Sequence, residues 1–165
     1  MEKQKPNRPN TFTVIPRVLA FIERNDEILF IRRLKEDAFA FQKLNGVGGH
    51  IEQGEDPLTA IRREVLEECG LSIHEFTLHA VIFIDIECNP GINVFVFSAL
   101  YPGGEVQPSE EGDLVWVKKK DILRQNVIKD IPMLLKTIED SKKDGQIKYL
   151  QYIYEEKELT IKPIT

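Results

Sequence analysis

The sequence predicts a mixed fold of strands and helices, either α+β or α/β, built as one layered core. Strand-type runs lie both before and after a clear helical segment, and a second helical segment comes late in the chain. The length of 165 residues suits one domain better than two. We therefore predict a flexible polar tail at residues 1–10 and a single domain at residues 11–165.

The domain begins with two strand-type runs. The runs TFTVIPRVLAFIE and EILFIRR flank the polar stretch RND, and this pattern predicts a hairpin. Pro16 lies within the first run and indicates an edge position or an irregularity there. The next recognisable stretch is LNGVGGH, whose glycines allow the main chain to approach a ligand closely.

The clearest helix follows this glycine-rich stretch. Asp56 is a suitable N-cap, Pro57 is tolerated in a first helical turn, and Gly70 is a suitable stop. Apolar residues recur at helical spacing and predict one buried face. They are Leu58, Ile61, Val65 and Leu66.

The rest of the chain contains more strands and a second helix. The apolar runs LHAVIFIDIE and INVFVFSALY predict two strands joined by a turn at CNPG. The segment LVWV predicts a short strand, and DIPMLLKTIED predicts the second helix. The final run QIKYLQYIYEEKELTIKPI predicts a hairpin that turns at residues 155–157.

Composition narrows the classes of partner. The net charge is −5, with 27 acidic and 22 basic residues, which argues against a surface that binds long nucleic acid. Cys69 and Cys88 form no disulfide framework, which fits a reducing compartment. Without an apolar leader or a run long enough for a membrane span, we expect a cytoplasmic protein with no membrane partner.

Three glutamates stand at positions i, i+3 and i+4 of the first helix, namely Glu64, Glu67 and Glu68. This spacing brings their Cβ atoms to within roughly 5–6 Å on one face, where like charges repel. Either solvent and neighbouring arginines balance this face, or a cation binds there. The glycines upstream favour the cation, and hard oxygen donors suit Mg²⁺ or Mn²⁺, which bridge carboxylates and phosphates.

The segment from Gly49 to Leu71 resembles the Nudix box at every defined position. Gly49 is followed after five residues by Glu55, then after seven residues by Arg63-Glu64-Val65, Glu67-Glu68 and Gly70-Leu71. The resemblance implies a Nudix hydrolase, with the family's α/β/α sandwich and its mixed central sheet. It also implies a Mg²⁺-dependent enzyme, with Mn²⁺ as an alternative, that cleaves a nucleoside diphosphate linked to another group.

The same resemblance implies roles for individual residues. Three glutamates and one main-chain carbonyl would bind the metal, namely those of Glu64, Glu67, Glu68 and Gly48. Arg63 would pair with Glu55 and fix the loop against the helix, with Gly49 and Gly70 as structural positions. A further carboxylate from a later loop would complete the catalytic set with Glu67 and Glu68, and Glu110 and Glu111 fit equally well.

The stretch LNGVGGHIEQGE is similar to that of MutT-type enzymes, which hydrolyse oxidised purine nucleoside triphosphates such as 8-oxo-dGTP to the monophosphate and pyrophosphate. The C-terminal run is similar to the tail of animal members of that group. The open alternatives are a dinucleotide, a nucleotide sugar or a pterin triphosphate as substrate, or a non-catalytic nucleotide-binding module. Monomer and homodimer both remain open.

Four residues are candidates for contacting the nucleotide. Asn45 contacts the base or only forms the turn before Gly46, while Asp130 contacts a purine edge or only caps the second helix. His50 replaces the lysine of the MutT-type pattern and can still donate to a phosphate. Phe41, like Phe39, stacks on the base or packs in the core.

Overall fold

The computed structural model describes residues 11–34, 41–87, 89–155 and 158–164. The predicted tail at residues 1–10, Phe39, Cys88 and residues 156–157 of the final turn lie outside these ranges. The strands are β1 (Val14–Arg24), β2 (Glu27–Arg33), β3 (Leu44–Asn45), β4 (Thr77–Asp85), β5 (Gly91–Leu100), β6 (Gly112–Lys118), β7 (Lys148–Glu155) and β8 (Glu158–Ile164). The helices are α1 (Pro57–Cys69) and α2 (Ile131–Asp144), with a 3₁₀ helix at Lys119–Arg124.

The strands form a mixed sheet, as predicted. Their order is β3-β2-β1-β5-β4-β7-β8, with β6 paired along β2. The β1/β5 and β4/β7 pairs are parallel, and the other strand pairs are antiparallel. The predicted first and last hairpins are the antiparallel pairs β1/β2 and β7/β8. Only the short β3 and the 3₁₀ helix have no counterpart among the elements that the sequence predicted.

Alternation along β1 divides the core between the two faces of the sheet. Val18 and Ala20 pack with α1, whereas Leu19 and Phe21 belong to the cluster that contains residues of α2. Because successive side chains of a strand point to opposite faces, the two helices cover opposite sides of one sheet. The result is the α/β/α sandwich that the resemblance implied.

Helix α1 begins and ends where the sequence predicted, but its buried face differs by one residue. Asp56 Oδ1 accepts the main-chain N–H groups of Leu58 and Thr59 at 2.8 and 3.0 Å, and Gly70 ends the helix at φ 69°. Leu66, predicted to be buried, is 53% exposed. Each residue turns about 100° around a helix, so the position after the buried Val65 faces away from the core.

Strand β1 holds the glycine-rich stretch against the sheet. Val18 N–H donates to Gly49 O at 2.9 Å, and Ile51 N–H donates to Pro16 O at 3.1 Å. Pro16 pairs in register with Asn93 of β5 on its other side. Of the two alternatives predicted for Pro16, the structure therefore shows the irregularity, because a loop rather than a regular strand flanks β1 here. Pro16 lacks an N–H, and on this side it only accepts a hydrogen bond through its carbonyl.

No helix in the described residues is both long enough and apolar enough to cross a membrane.

Candidate active site

Two adjacent glycines let the main chain meet both β1 and helix α1. Gly48 has a φ of 152°, and a Cβ atom there would lie 2.2 Å from the carbonyl oxygen of Val18. A Cβ atom on Gly49 would lie 2.5 Å from Oε1 of Glu64. Only glycine leaves room at these points for the strand on one side and for the carboxylate on the other.

Glu68 is the most enclosed carboxylate of the site, with 3% of its surface exposed. Its Oε2 accepts the N–H of Gly48 at 2.8 Å, and its Oε1 lies 3.4 Å from Nη2 of Arg33. Burial raises the pKa of Glu68 to about 7, although Arg33 and the Gly48 N–H favour the charged form. A proton or a nearby positive charge would therefore stabilise this group.

Arg63 connects the glycine-rich loop to helix α1. Its Nε and Nη2 donate to the two oxygens of Glu55 at 2.7 and 2.9 Å, a bidentate pair of the strong type. Its Nη1 contacts Glu64 at 2.9 Å and Glu67 at 3.2 Å, and its Nη2 donates to the carbonyl of His50 at 3.0 Å. These hydrogen bonds lower the pKa of Glu55 to about 2 and raise the pKa of Arg63 above its ordinary value.

Arg33, at the end of β2, was not singled out from the sequence. Its Nη1 donates to Oε2 of Glu111 at 2.6 Å, and its Nη2 donates to the carbonyl of Gly48 at 3.2 Å. Glu111 is thus drawn toward Glu68 through a shared arginine, whereas Glu110 lines the same cavity as an exposed residue. The two loop carboxylates, equivalent in the sequence, are therefore not equivalent in the structure.

The carboxylates offer the donor chemistry of a divalent cation site, although their side chains do not converge on one point. Among the described residues, no three acidic, histidine or cysteine side chains are grouped closely enough to hold a metal ion. Glu64 and Glu67 instead face Arg63, and Glu68 faces Arg33. A set of oxygen donors in which one carboxylate, Glu68, is buried and hard to ionise suits a hard cation. Such a cation would compete with the guanidinium groups of Arg33 and Arg63 for these carboxylates.

These groups open into a cavity of about 870 Å³, a volume typical of small-molecule sites. One end carries Gly48, Gly49, Glu64, Glu67, Glu68, Glu110 and Glu111. The other end has an apolar floor formed by Ile82, Ile84, Val94 and Leu134. The lining also includes polar groups, namely Arg17, Asn45, Asp130, Tyr152 and Tyr154.

Three of the four candidate nucleotide contacts line this cavity. Asn45 does so while its Oδ1 accepts the N–H of Gly46 at 2.8 Å, so it also forms the local turn. Asp130 precedes α2 but makes no side-chain capping hydrogen bond, and burial raises its pKa. Asp130 lines the cavity together with Tyr152, and the exposed His50 lines it as well.

Phe41, the fourth candidate, is not among the described residues that line the cavity. It is 37% exposed and directly precedes Gln42, whose φ of 59° reverses the chain. Gln42 N–H donates to the carbonyl of Arg33 at 2.9 Å, and this tight turn fixes the chain direction ahead of β3. Proximity in sequence to the glycine-rich stretch was therefore a poor guide to proximity in space.

Family membership follows from a match over most of the chain. The model of the family described as NUDIX domain matches residues 14–136. The chain belongs to the NUDIX family. The matched range contains the glycine-rich loop, helix α1, both loop glutamates and the start of α2.

Named relatives are similar to this chain over part of their length. The oxidized purine nucleoside triphosphate hydrolase of Mus musculus is 36% identical over 92 residues, 54% of this chain and 58% of the relative. The 8-oxo-dGTP diphosphatase of Escherichia coli K12 is 38% identical over 60 residues, 36% of this chain and 46% of the relative. The matched segments thus span only about half the length of these relatives.

Solved structures share the fold over more of the chain. A MutT protein from Bacillus halodurans superposes with a TM-score of 0.74 over 91% of this chain and 97% of that protein, at 20% identity. A MutT NUDIX hydrolase from Burkholderia pseudomallei gives 0.65 over 76% of this chain and 98% of that protein, at 26% identity. The NUDIX sandwich therefore extends beyond the sequence-matched segments.

Proposed function

We propose that this NUDIX protein is a pyrophosphohydrolase that requires a divalent cation and cleaves an oxidised purine nucleoside triphosphate to the monophosphate and pyrophosphate. The observation that carries the proposal is one cavity with two chemically distinct ends. The carboxylate-rich end suits phosphates with their cations, and the apolar floor with polar borders suits a base. The names of the two relatives support the oxidised purine as the substrate class.

Glu64, Glu67, Glu68 and the Gly48 carbonyl would hold Mg²⁺ or Mn²⁺. A bound divalent cation supplies charge neutralisation at the phosphate oxygens and acidifies a bound water. For the loop carboxylate we favour Glu111 over Glu110, because Glu111 shares Arg33 with Glu68. Glu111 would complete the carboxylate set or accept a proton from the attacking water.

Other residues of the chain would position the substrate rather than react with it. Arg63 holds the glycine-rich loop and two carboxylates of α1 in one arrangement through its contacts with Glu55, Glu64 and Glu67. The apolar floor would take the base, and Asn45 and Asp130, which line the same cavity, would contact the base edges. Phosphoryl transfer depends mainly on such positioning and on charge stabilisation.

The test is pyrophosphate release, with and without Mg²⁺, from canonical and oxidised nucleoside triphosphates, dinucleotides, nucleotide sugars and a pterin triphosphate. Glu67→Gln tests the carboxylate set, because the side chain of Glu67 is 58% exposed and its loss should spare the fold. Glu75→Gln is the matched control, since Glu75 is exposed and does not line the cavity.

We expect an 8-oxo-purine triphosphate to be the best substrate, with turnover lost in Glu67→Gln and kept in Glu75→Gln. Preference for another diphosphate derivative would refute the proposed substrate class but not the proposed cation-dependent hydrolysis. Nucleotide binding without any turnover in Mg²⁺ or Mn²⁺ would instead identify a non-catalytic module.

A further inference from the structure

An arginine that the NUDIX box does not contain lines the cavity, and the described residues give it no charged partner. Arg17 Nε is buried and has no hydrogen-bond partner among the described residues, a condition shared there only with the hydroxyl of Tyr152. No ion pair in the described part of the chain involves Arg17, whereas Glu68 and Glu111 both contact Arg33. Burying an unpaired charge is costly, so a partly buried, unpartnered guanidinium indicates a missing anion.

Sheet register places Arg17 between the two ends of the cavity. On one side its main chain is bridged to that of His50, beside Gly49. On the other side Arg17 pairs in register with Val94, which in turn pairs with Ile82 of the apolar floor. Arg17 and Leu19 lie two residues apart on β1, so both side chains face the α2 side of the sheet, where the floor lies.

A second positive charge beside Arg17 strengthens the argument. Burial lowers the pKa of Arg17, and the nearby guanidinium of Arg33 lowers it further. Arg33 is neutralised by two carboxylates and the Gly48 carbonyl, whereas the described residues provide no such neutralisation for Arg17. The planar guanidinium matches phosphate oxygens well and stays charged near neutral pH.

We propose that Arg17 binds the phosphate group nearest to the nucleoside, at the junction between the carboxylate end and the apolar floor. This assignment rests on the proposed nucleotide substrate and adds a positioning residue from β1, outside the NUDIX box. Arg17 fixes the position of this first phosphate next to the base site, and so determines which phosphorus atom faces the carboxylates. The required anion is the substrate itself, which explains why the protein alone leaves Arg17 Nε unsatisfied.

The test compares Arg17→Gln with the wild type in EDTA, by calorimetric titration with 8-oxo-deoxyguanosine, its 5′-monophosphate and inorganic pyrophosphate. We expect the monophosphate to bind at least about tenfold more weakly to Arg17→Gln, which is roughly 1.4 kcal/mol. The nucleoside should bind equally to both proteins. Arg17→Lys should recover part of the loss, because it keeps the charge but not the fork.

Arg124→Gln is the matched control, since its side chain is 81% exposed, contacts Asp121 and lies outside the cavity. It should bind all three ligands as the wild type does. In the free protein, Arg17→Gln should melt at or above the wild-type Tm, because it removes an unpaired, partly buried charge. A lower Tm would overturn the proposal by showing that Arg17 supports the fold.

The ligand series separates this proposal from the proposed function. An equal loss for nucleoside and monophosphate would overturn the proposal, because Arg17 would then contact the base or shape the floor. Unchanged monophosphate binding would overturn it as well. If the wild type binds neither nucleoside nor monophosphate, the proposed nucleotide function fails. In that case, pyrophosphate binding that depends on Arg17 would still support an anion site at Arg17. Pyrophosphate binding that is absent, or that does not depend on Arg17, would refute the anion site.

Discussion

A single methyl group on Gly49 should disable the site while leaving the fold intact. The added Cβ would lie 2.5 Å from Oε1 of Glu64, whereas ordinary contact begins at 3.4 Å, so the carboxylate must retreat by about 0.9 Å. A misplacement of about 1 Å in a catalytic arrangement can cost about 100-fold in rate, or about 2.7 kcal/mol of transition-state stabilisation. We therefore expect Gly49→Ala to lower kcat/KM for pyrophosphate release by about two orders of magnitude.

The same change should barely alter stability. The φ of Gly49 is not in the left-handed range, and the atoms that an added Cβ would meet belong to the flexible end of Glu64. Alanine lowers the conformational entropy of the unfolded chain relative to glycine, and this gain in stability offsets part of the loss caused by the weakened contact between Glu64 and Arg63. The free energy of unfolding should therefore change by less than about 1 kcal/mol. Thermal melting and urea titration measure this change.

Two neighbouring glycines provide matched controls. Gly48→Ala should lower stability strongly, because its Cβ would meet the main-chain carbonyl of Val18 at 2.2 Å. Gly54→Ala should cost about 1 kcal/mol from its φ of 93° and keep activity, because an added Cβ there has no atom within 4 Å. The reasoning is refuted if Gly49→Ala retains the activity of Gly54→Ala, or if it destabilises the fold as much as Gly48→Ala does.

Three further predictions concern pH and packing. Arg63 lowers the pKa of Glu55 from 4.5 to about 2, so their ion pair stabilises the folded state above pH 4.5. This stability is lost as the pH falls toward 2, and Glu55→Gln should therefore show a smaller decline in Tm over that range. Burial raises the pKa of Glu68 from 4.5 to about 7, so without divalent cations the stability of the fold falls as the pH rises between these values. Glu68→Gln should abolish this decline. If the variant has the same Tm profile as the wild type, the raised pKa of Glu68 is contradicted. Ile61→Ala should cost about 2–5 kcal/mol in urea titration, whereas Leu66→Ala should cost less than about 1 kcal/mol, because Ile61 is fully buried and Leu66 is 53% exposed.

Local patterns determined the limits of the elements and the chemical nature of one end of the cavity. Asp56, Pro57 and Gly70 marked the ends of α1 because capping and left-handed termination depend on a few neighbouring residues. The spacing of Glu64, Glu67 and Glu68 placed them on one side of the helix for the same reason, and all three line the cavity. The hairpins and the second helix followed from alternation, turn residues and helical spacing, which are also local.

The partners of those carboxylates were decided by tertiary structure. Arg33 reaches Glu68 and Glu111 across 35 and 78 positions of the chain, and no local pattern fixes such a contact. The same holds for the difference between Glu110 and Glu111, which are identical side chains: Glu111 contacts Arg33, whereas Glu110 lines the same cavity as an exposed residue. Phe41 shows the reverse case, since it is near the site in sequence but outside the cavity.

The sequence by itself determined the family motif, the succession of strands and helices, and the acidic helix, because each depends on residues at most a few turns apart. Only the tertiary structure decided what faces that helix across the cavity. Arg17 lies in an apolar run on β1, where a lone charge was the one available signal, and Tyr152 lies on β7, three strands away across the sheet. Strand order and register bring these two residues to one cavity, and pairing between distant segments is fixed by the packing of the whole sheet rather than by any stretch of it.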